Sequence, residues 1–284
     1  MGFGIENVLN IITAIGVLAV VTVGLYIILG LMQVINMAHG DMVMLGAYSV
    51  VTFTKMGINY WLAALFSAFF VALVGAIVEL CVVQFLYKTG NLSTMLATWG
   101  IGIVLQQTIK LIFGPQGEFV DVPVTSMINI MGIEYPAYRL ILFLLCVVIL
   151  VGIFFILKKT KAGLLVRTTM DNRIMAQAMG INTKNVYLFG FISGSALAGL
   201  AGALIAPITN ISPLMGLDYV TKSFLVVISG GVDSMLSTIG GSFIIAGFQT
   251  FFNGFMGATN SWMTVLVIVI IALWVRPRGV FSKK

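Results

Sequence analysis

The stretch YRLILFLLCVVILVGIFFILKKTKAGLLVRTTMDNRIMAQAMGINTKN, residues 138–185, decides how this chain folds. From Leu140 to Leu157 it carries no charge, a length of hydrocarbon that fits one membrane-spanning helix of about 20 residues. From Lys158 to Asn185 it is polar, with six cations (Lys158, Lys159, Lys161, Arg167, Arg173, Lys184) and one acid, Asp171. A charged segment of that length has to meet water. The chain thus alternates between lipid and solvent, and the polar stretch is where it meets something soluble.

Working outward, further apolar segments lie near 8–30, 41–54, 61–87, 92–113, 186–206, 219–231, 236–253 and 262–275. The composition agrees: 60% of residues are hydrophobic and 8% charged, against roughly 25% charged in a soluble domain. Mean hydropathy is +1.11. Continuous rather than alternating apolar runs exclude a β-barrel, so backbone polar groups must be satisfied within helices. The sequence predicts an all-α polytopic membrane protein of eight to nine transmembrane helices, some broken, in two pseudo-repeated halves. It reads as one transmembrane domain, 1–284, with a cytosolic loop at 158–185.

The basic residues set the orientation. With 158–185 in the cytosol, Lys88, Arg276, Arg278, Lys283 and Lys284 thread to the same side, giving eleven of fifteen basic residues inside. Lys55, Lys110, Arg139 and Lys222 remain. The N-terminus and the loop 114–137, with Glu118, Asp121 and Glu134, then face outward, and the C-terminus faces the cytosol. The net charge of +6 is explained by this bias and does not call for nucleic acid. No secretory signal peptide is expected, because no basic residue precedes the first span.

Two segments are interrupted. GLMQVINMAHGDMVMLGAY (30–48) sets Gln33, Asn36, His39 and Asp41 in an apolar run, and VVISGGVDSMLSTIGGSF (226–243) has paired glycines around Asp233 and Ser234. Glycine-interrupted segments in corresponding halves mark the solute path of many transporters. Ordinary turns at a membrane surface give the same pattern, and 232–237 reads as such a turn. His39, the single histidine, is either a hydrogen-bonded structural residue or an ionisable group of the path. Asp41, with Asn36 and His39, is placed on the candidate path. So are Thr98, Trp99, Gln106 and Gln107 of segment 92–113, where two adjacent amides either line a polar route or bind helices together. For Trp99 ordinary packing is the plainer role. Glu79 is expected to pair with Lys88, about 13 Å further along the helix. Gly190, Gly194, Ala198 and Gly202, each four apart, form a stripe for close helix packing.

There is no Gly-x-x-x-x-Gly-Lys-Ser/Thr loop, no Gly-x-Ser-x-Gly and no His-Glu-x-x-His. The two cysteines, Cys81 and Cys146, lie in apolar segments, with no disulfide framework or metal spacing. No enzyme activity, metal or cofactor is expected of this chain, and energy for uphill transport must come from ions or another subunit. Few buried acids speak against ion coupling.

INMAHGDMVMLGAY (35–48), MDNRIMAQAMGI (170–181), SALAGLAGALIAPITNISPLMG (195–216), FLVVISGGVDSMLSTIGG (224–241) and RPRGVF (276–281) resemble the membrane permeases of ABC importers for branched-chain amino acids and urea. The resemblance covers nearly the whole chain in order. LATWGIGIVLQQ (96–107) and MDNRIMA (170–176) lean toward the urea permease. The resemblance implies an inner-membrane path for urea, with branched-chain amino acids as the alternative solute. It implies a homologous second permease (or a second copy), cytosolic ATP-binding subunits that hold the ATP, and an extracytoplasmic substrate-binding protein. A passive channel for a small polar solute is the reading from another class.

Within the resemblance, 158–185 is the segment that docks on the ATPase, carried by Arg167, Asp171, Asn172, Arg173, Ala176, Gly180 and Ile181. Ala176 and Gly180 match the alanine–glycine spacing of the importer loop; Ile174 and Met175 depart from the usual Glu-Ala. Asp171 and Asn172 suit the cap of a short helix whose apolar face uses Ile174, Ala178 and Ile181. Arg167 and Arg173 are placed to pair with acids of the partner. A loop that is merely solvated is the competing view.

Overall fold

A computed structural model describes residues 4–87, 89–130, 132–232, 234–277 and 279–281. Lys88, Asp233, Arg278, Lys283 and Lys284, used above, lie outside the described residues.

The protein is a polytopic all-α membrane protein. In order its helices are α1 (Ile5–Met32), α2 (His39–Lys55), α3 (Tyr60–Val78), a π-helical turn (Glu79–Val83), α4 (Gln84–Leu86), α5 (Asn91–Phe113), α6 (Ala137–Lys159), α7 (Lys161–Asp171), α8 (Arg173–Ala178), α9 (Thr183–Ile205), α10 (Met215–Gly230), α11 (Met235–Ser242), a second π-helical turn (Phe243–Gly247), α12 (Phe248–Met256) and α13 (Ala258–Val275). Among the described residues, seven helical runs are long and apolar enough to cross a membrane: Ile5–Met32, Tyr60–Leu86, Asn91–Phe113, Ala137–Lys159, Thr183–Ile208, Met235–Met256 and Ala258–Val275. The two remaining apolar segments are α2 and α10. They have 17 and 16 residues, about 25 Å of helix, short of a hydrocarbon layer of about 30 Å.

The chain gathers into two compact units. The first comprises Met1–Val23, Val122–Leu150 and Lys222–Lys284. Its core holds Ile15, Leu18, Val226, Ile245, Ala246, Val265 and Val269. The C-terminal residues are strapped to the α10–α11 connection: Val280 N donates to Ser229 O (2.7 Å), Phe281 N to Gly230 O (3.3 Å), and Ser237 Oγ to Phe281 O (3.1 Å). The 114–137 loop contains a hairpin that sequence reading does not anticipate, β1 (Met127–Ile130) against β2 (Ile133–Pro136), antiparallel, with Met127 opposite Pro136. Tyr135 Oη and the Arg139 guanidinium both donate to Asn10 Oδ1 and tie hairpin and α6 to α1.

The second unit comprises Gly24–Asp121 and Val151–Thr221. Its centre is α2, buried without interruption from His39 to Val51, packed with α3 and α9. The small-residue stripe expected on α9 forms this contact. Side chains at Gly190 or Gly194 would strike Leu31 or Ile28 of α1, and one at Gly202 would strike the Val43 carbonyl of α2. The adjacent face turns Gly199 against Val71 of α3 and against Gly46 of α2. Such close approach is what small residues provide where lipid supplies no hydrophobic drive between helices. Tyr60 Oη adds a buried hydrogen bond to Ala203 O (2.9 Å).

Candidate functional site

Helix α1 stops at Met32 because Gln33 takes a left-handed conformation (φ +53°). Residues 33–36 are irregular, Met37 and Ala38 form a turn, and α2 begins at His39. A break among buried residues frees backbone groups that need partners within the protein. Asn36 Oδ1 accepts from Ala38 N (3.1 Å), and Thr98 Oγ1 of α5 accepts from Met37 N (3.0 Å). The same hydroxyl lies 3.4 Å from Ile35 O and 3.1 Å from Met95 O, where it can donate. Thr98 and Asn36 therefore splint the break. The Asn36 Nδ2 is buried and has no hydrogen-bond partner among the described residues.

One turn into α2, the Asp41 carboxylate is buried. Gln106 Nε2 of α5 donates to its Oδ1 at 2.9 Å. Gly102 of α5 leaves room for Oδ2, and Gly216 of α10 for Oδ1, since a Cβ at either would strike the carboxylate. Asp41 lies in the first turn of α2 and against the first turn of α10. Two helix N-termini, each with partial positive charge, thus converge on one anion. Gly40 and Gly216 pack backbone to backbone.

The structure brings Asn36, His39, Asp41, Thr98 and Gln106 together as buried groups around the break. It does not bring Trp99 or Gln107 to them: both are exposed on the outer side of α5. That is the consequence of helical spacing, because Thr94, Thr98, Gly102, Gln106 and Ile109 occupy its buried face. The second interrupted segment has the form of the expected turn. Residues 231–232 connect α10 to α11, and Ser234 caps α11 by accepting from Ser237 N (3.1 Å). A further irregular stretch follows α9, a 3-10 turn Ala206–Ile208 and then non-helical backbone up to α10. Pro207 and Pro213 were its signal.

The polar stretch folds as two helices. Thr160 caps α7 by accepting from Gly163 N (3.1 Å). Asn172 caps α8 by accepting from Met175 N (3.0 Å); Asp171 is the last residue of α7 and does not share that role. Helix α8 ends with Gly180 in the left-handed region (φ +82°). Gly180 N donates to Gln177 O and Ile181 N to Ala176 O, each at 3.0 Å, the paired bonds of a glycine C-cap. Ile181 therefore lies beyond the helix and not on its face. Ala176 is fully buried against the chain, while Ile174, Met175 and Met179 are 79%, 58% and 69% exposed. Arg167, Asp171 and Asn172 are exposed too. Arg173, also exposed, sets its guanidinium 5.1 Å from the Tyr187 ring of α9. Gln177 Nε2 donates to Thr183 Oγ1 (2.8 Å), holding α8 to the start of α9.

Glu79 opens the π-helical turn after α3, and the Tyr87 hydroxyl donates to its Oε1. Lys88, the partner expected from sequence, is outside the described residues. Among the described residues no group of three or more histidine, cysteine or acidic side chains could hold a metal ion.

Residues 7–275 match the model of a family described as branched-chain amino acid transport system, permease component. The chain is 26% identical over 263 residues to the probable branched-chain amino acid transport permease protein LivH of Methanocaldococcus jannaschii, covering 86% of this chain and 82% of that one. It is 22% identical over 298 residues to the high-affinity branched-chain amino acid transport system permease protein LivH of Escherichia coli K12, covering 98% and 96%. Against the corresponding protein BraD of Pseudomonas aeruginosa it is 20% identical over 294 residues, with the same coverage. No solved structure matches.

Proposed function

The chain belongs to the family of branched-chain amino acid transport permeases, and from that premise we propose that it is the membrane permease subunit of an ABC importer carrying branched-chain amino acids. The observation that carries this reading is the likeness, end to end, to permeases named for that solute. The leaning toward urea finds no support among these relatives. Within the protein, LATWGIGIVLQQ supplies Thr98, Gly102 and Gln106 to brace the break and Asp41, and MDNRIMA supplies the Asn172 cap.

The solute path runs at the break. Asp41 and the two helix ends around it bring both signs of charge to one buried place, which suits a zwitterion and is superfluous for a neutral solute such as urea. The unmet Asn36 Nδ2 is a donor beside it. The 158–185 side faces the cytosol, where the excess of lysine and arginine belongs, and the N-terminus faces out. There α7 and α8 dock on ATP-binding subunits, with Ile174, Met175 and Met179 entering a groove and Arg167 and Arg173 meeting acids. A second permease, homologous or identical, completes the path, and a substrate-binding protein delivers solute from outside. ATP is held by the partner subunits.

The test is reconstitution in liposomes with the ATP-binding and substrate-binding subunits. We expect ATP-dependent uptake of labelled leucine, competed by isoleucine and valine and not by urea. Uptake of equal size without ATP identifies a channel; ATP-driven uptake of urea alone restores the urea reading.

A further inference from the structure

Four side chains form a continuous line from the docking helix to the helix break. The Arg173 guanidinium of α8 lies over the Tyr187 ring of α9 at 5.1 Å. That ring packs edge to face on Tyr87, centroids 5.1 Å apart and planes at 67°. The Tyr87 hydroxyl donates to Glu79 at the start of the π-helical turn and lies 3.9 Å from Met32 Sδ. Met32 is the last residue of α1, next to left-handed Gln33, where the break begins. Tyr87 therefore touches, directly or through one ring, the docking helix, the π-helical turn within the Tyr60–Leu86 span, and the residue that precedes the break. π-helical turns are rare and concentrate at functional sites. This one is held by a buried carboxylate whose Oε1 is bonded to the tyrosine.

We infer that Tyr87 is a positioning residue of transport: it carries displacement of α8 on the ATP-binding partner to the break at Gln33–Ala38. The inference rests on the docking assignment made above. Its physical content is that rigid packed rings move together, so a shift of Arg173 and Tyr187 moves the hydroxyl that holds Glu79 and abuts Met32. Intermediacy alone does not establish coupling, and a coupling measurement is needed.

The measurement is made on the complete reconstituted transporter in a Cys81→Ser, Cys146→Ala background. Met37→Cys, within the break, is labelled by a water-soluble maleimide with and without ATP. With Tyr87 intact, ATP changes the labelling rate. Tyr87→Phe keeps the ring stack and loses the hydroxyl; it reduces that change about threefold or more while the ATPase rate and subunit assembly stay at the parent level. Tyr187→Leu acts in the same direction, and the double variant is no worse than the more impaired single. An ATP effect in Tyr87→Phe equal to the parent's overturns the inference, as does a double variant whose losses multiply. If ATP changes nothing even with Tyr87 intact, the docking assignment falls and takes the inference with it. The labelling readout does not depend on which solute is carried, so leucine uptake and the role of Tyr87 fail separately.

Discussion

Gly40 and Gly216 meet backbone to backbone at the starts of α2 and α10, so that a Cβ on Gly216 would stand 2.8 Å from the Gly40 carbonyl carbon and oxygen. Neither neighbour is the flexible end of a side chain, so relief requires helices to separate. Gly40→Ala should destabilise the protein by about 1–3 kcal/mol or more. Gly100→Ala, on open surface of α5 with nothing within 4 Å, should be neutral or stabilising by up to about 1 kcal/mol. Heating the detergent-solubilised variants and following the loss of monodisperse protein separates the two. Equal stability of Gly40→Ala and the parent would contradict the contact.

Asp41 serves two helix ends and one amide at once. Asp41→Ala leaves the Gln106 donor buried and unmet, about 1–3 kcal/mol, and removes an anion whose interaction with a helix N-terminus reaches about 2 kcal/mol when partly buried. Asp41→Asn keeps an oxygen for Gln106 and loses only the charge, so its melting temperature should fall between those of the parent and Asp41→Ala. The order parent, Asn, Ala is the checkable outcome; an Ala variant as stable as the Asn variant refutes the bond to Gln106.

The caps of α8 predict a segment that loosens in place. Asn172→Ala should cost that helix about 1 kcal/mol, raising the rate at which trypsin cuts after Arg173 without changing the yield of the membrane-embedded chain. Gly180→Trp adds strain at a left-handed position and bulk beside the exposed Met179, and ATP hydrolysis should then proceed with little solute uptake. Normal ATP-driven uptake by Gly180→Trp means the docking assignment is wrong.

Two polar contacts of similar length should differ in worth. Lys55 Nζ meets Glu118 Oε2 at 2.8 Å, but the lysine is 59% exposed, and Glu118→Gln should change stability by less than about 1 kcal/mol. Tyr60 Oη meets Ala203 O at 2.9 Å in a buried place, so Tyr60→Phe strands a carbonyl and should cost about 1–3 kcal/mol. If the surface pair proves the stronger, burial is not what governs these contacts.

Much of this fold is written in hydrocarbon length, which is why the nine apolar segments were legible; that α2 and α10 fall short of a span is set by their helix ends. The stripe on α9 was legible because four-residue spacing repeats along one face. The break at 30–48 was visible because polar residues inside an apolar run have few explanations. What escaped was tertiary. Nothing in LATWGIGIVLQQ separates Gln106 from Gln107 until helical phase against α2 is known, and one brace and one exposed amide result. The turn at 232–237 was legible because paired glycines and a Ser cap punctuate it, whereas the irregular stretch around Pro207 and Pro213 was not singled out. Glu79 and Tyr87 sit eight residues apart, a spacing that a regular α-helix would not align; the π-helical turn between them brings them together.

The buried Ala176 has a consequence for how cells handle this subunit. By anchoring one side of α8 to its own chain, it fixes Ile174, Met175 and Met179 outward, on a segment too charged to sink into lipid. On the proposed docking, copies without the partner would display a greasy patch to water, the kind of surface that chaperones and proteases bind, and two thioethers open to oxidation. Docking as proposed would hide all three side chains together. The same short helix that is proposed to receive force would also report, by being covered or bare, whether the subunit has found its partner.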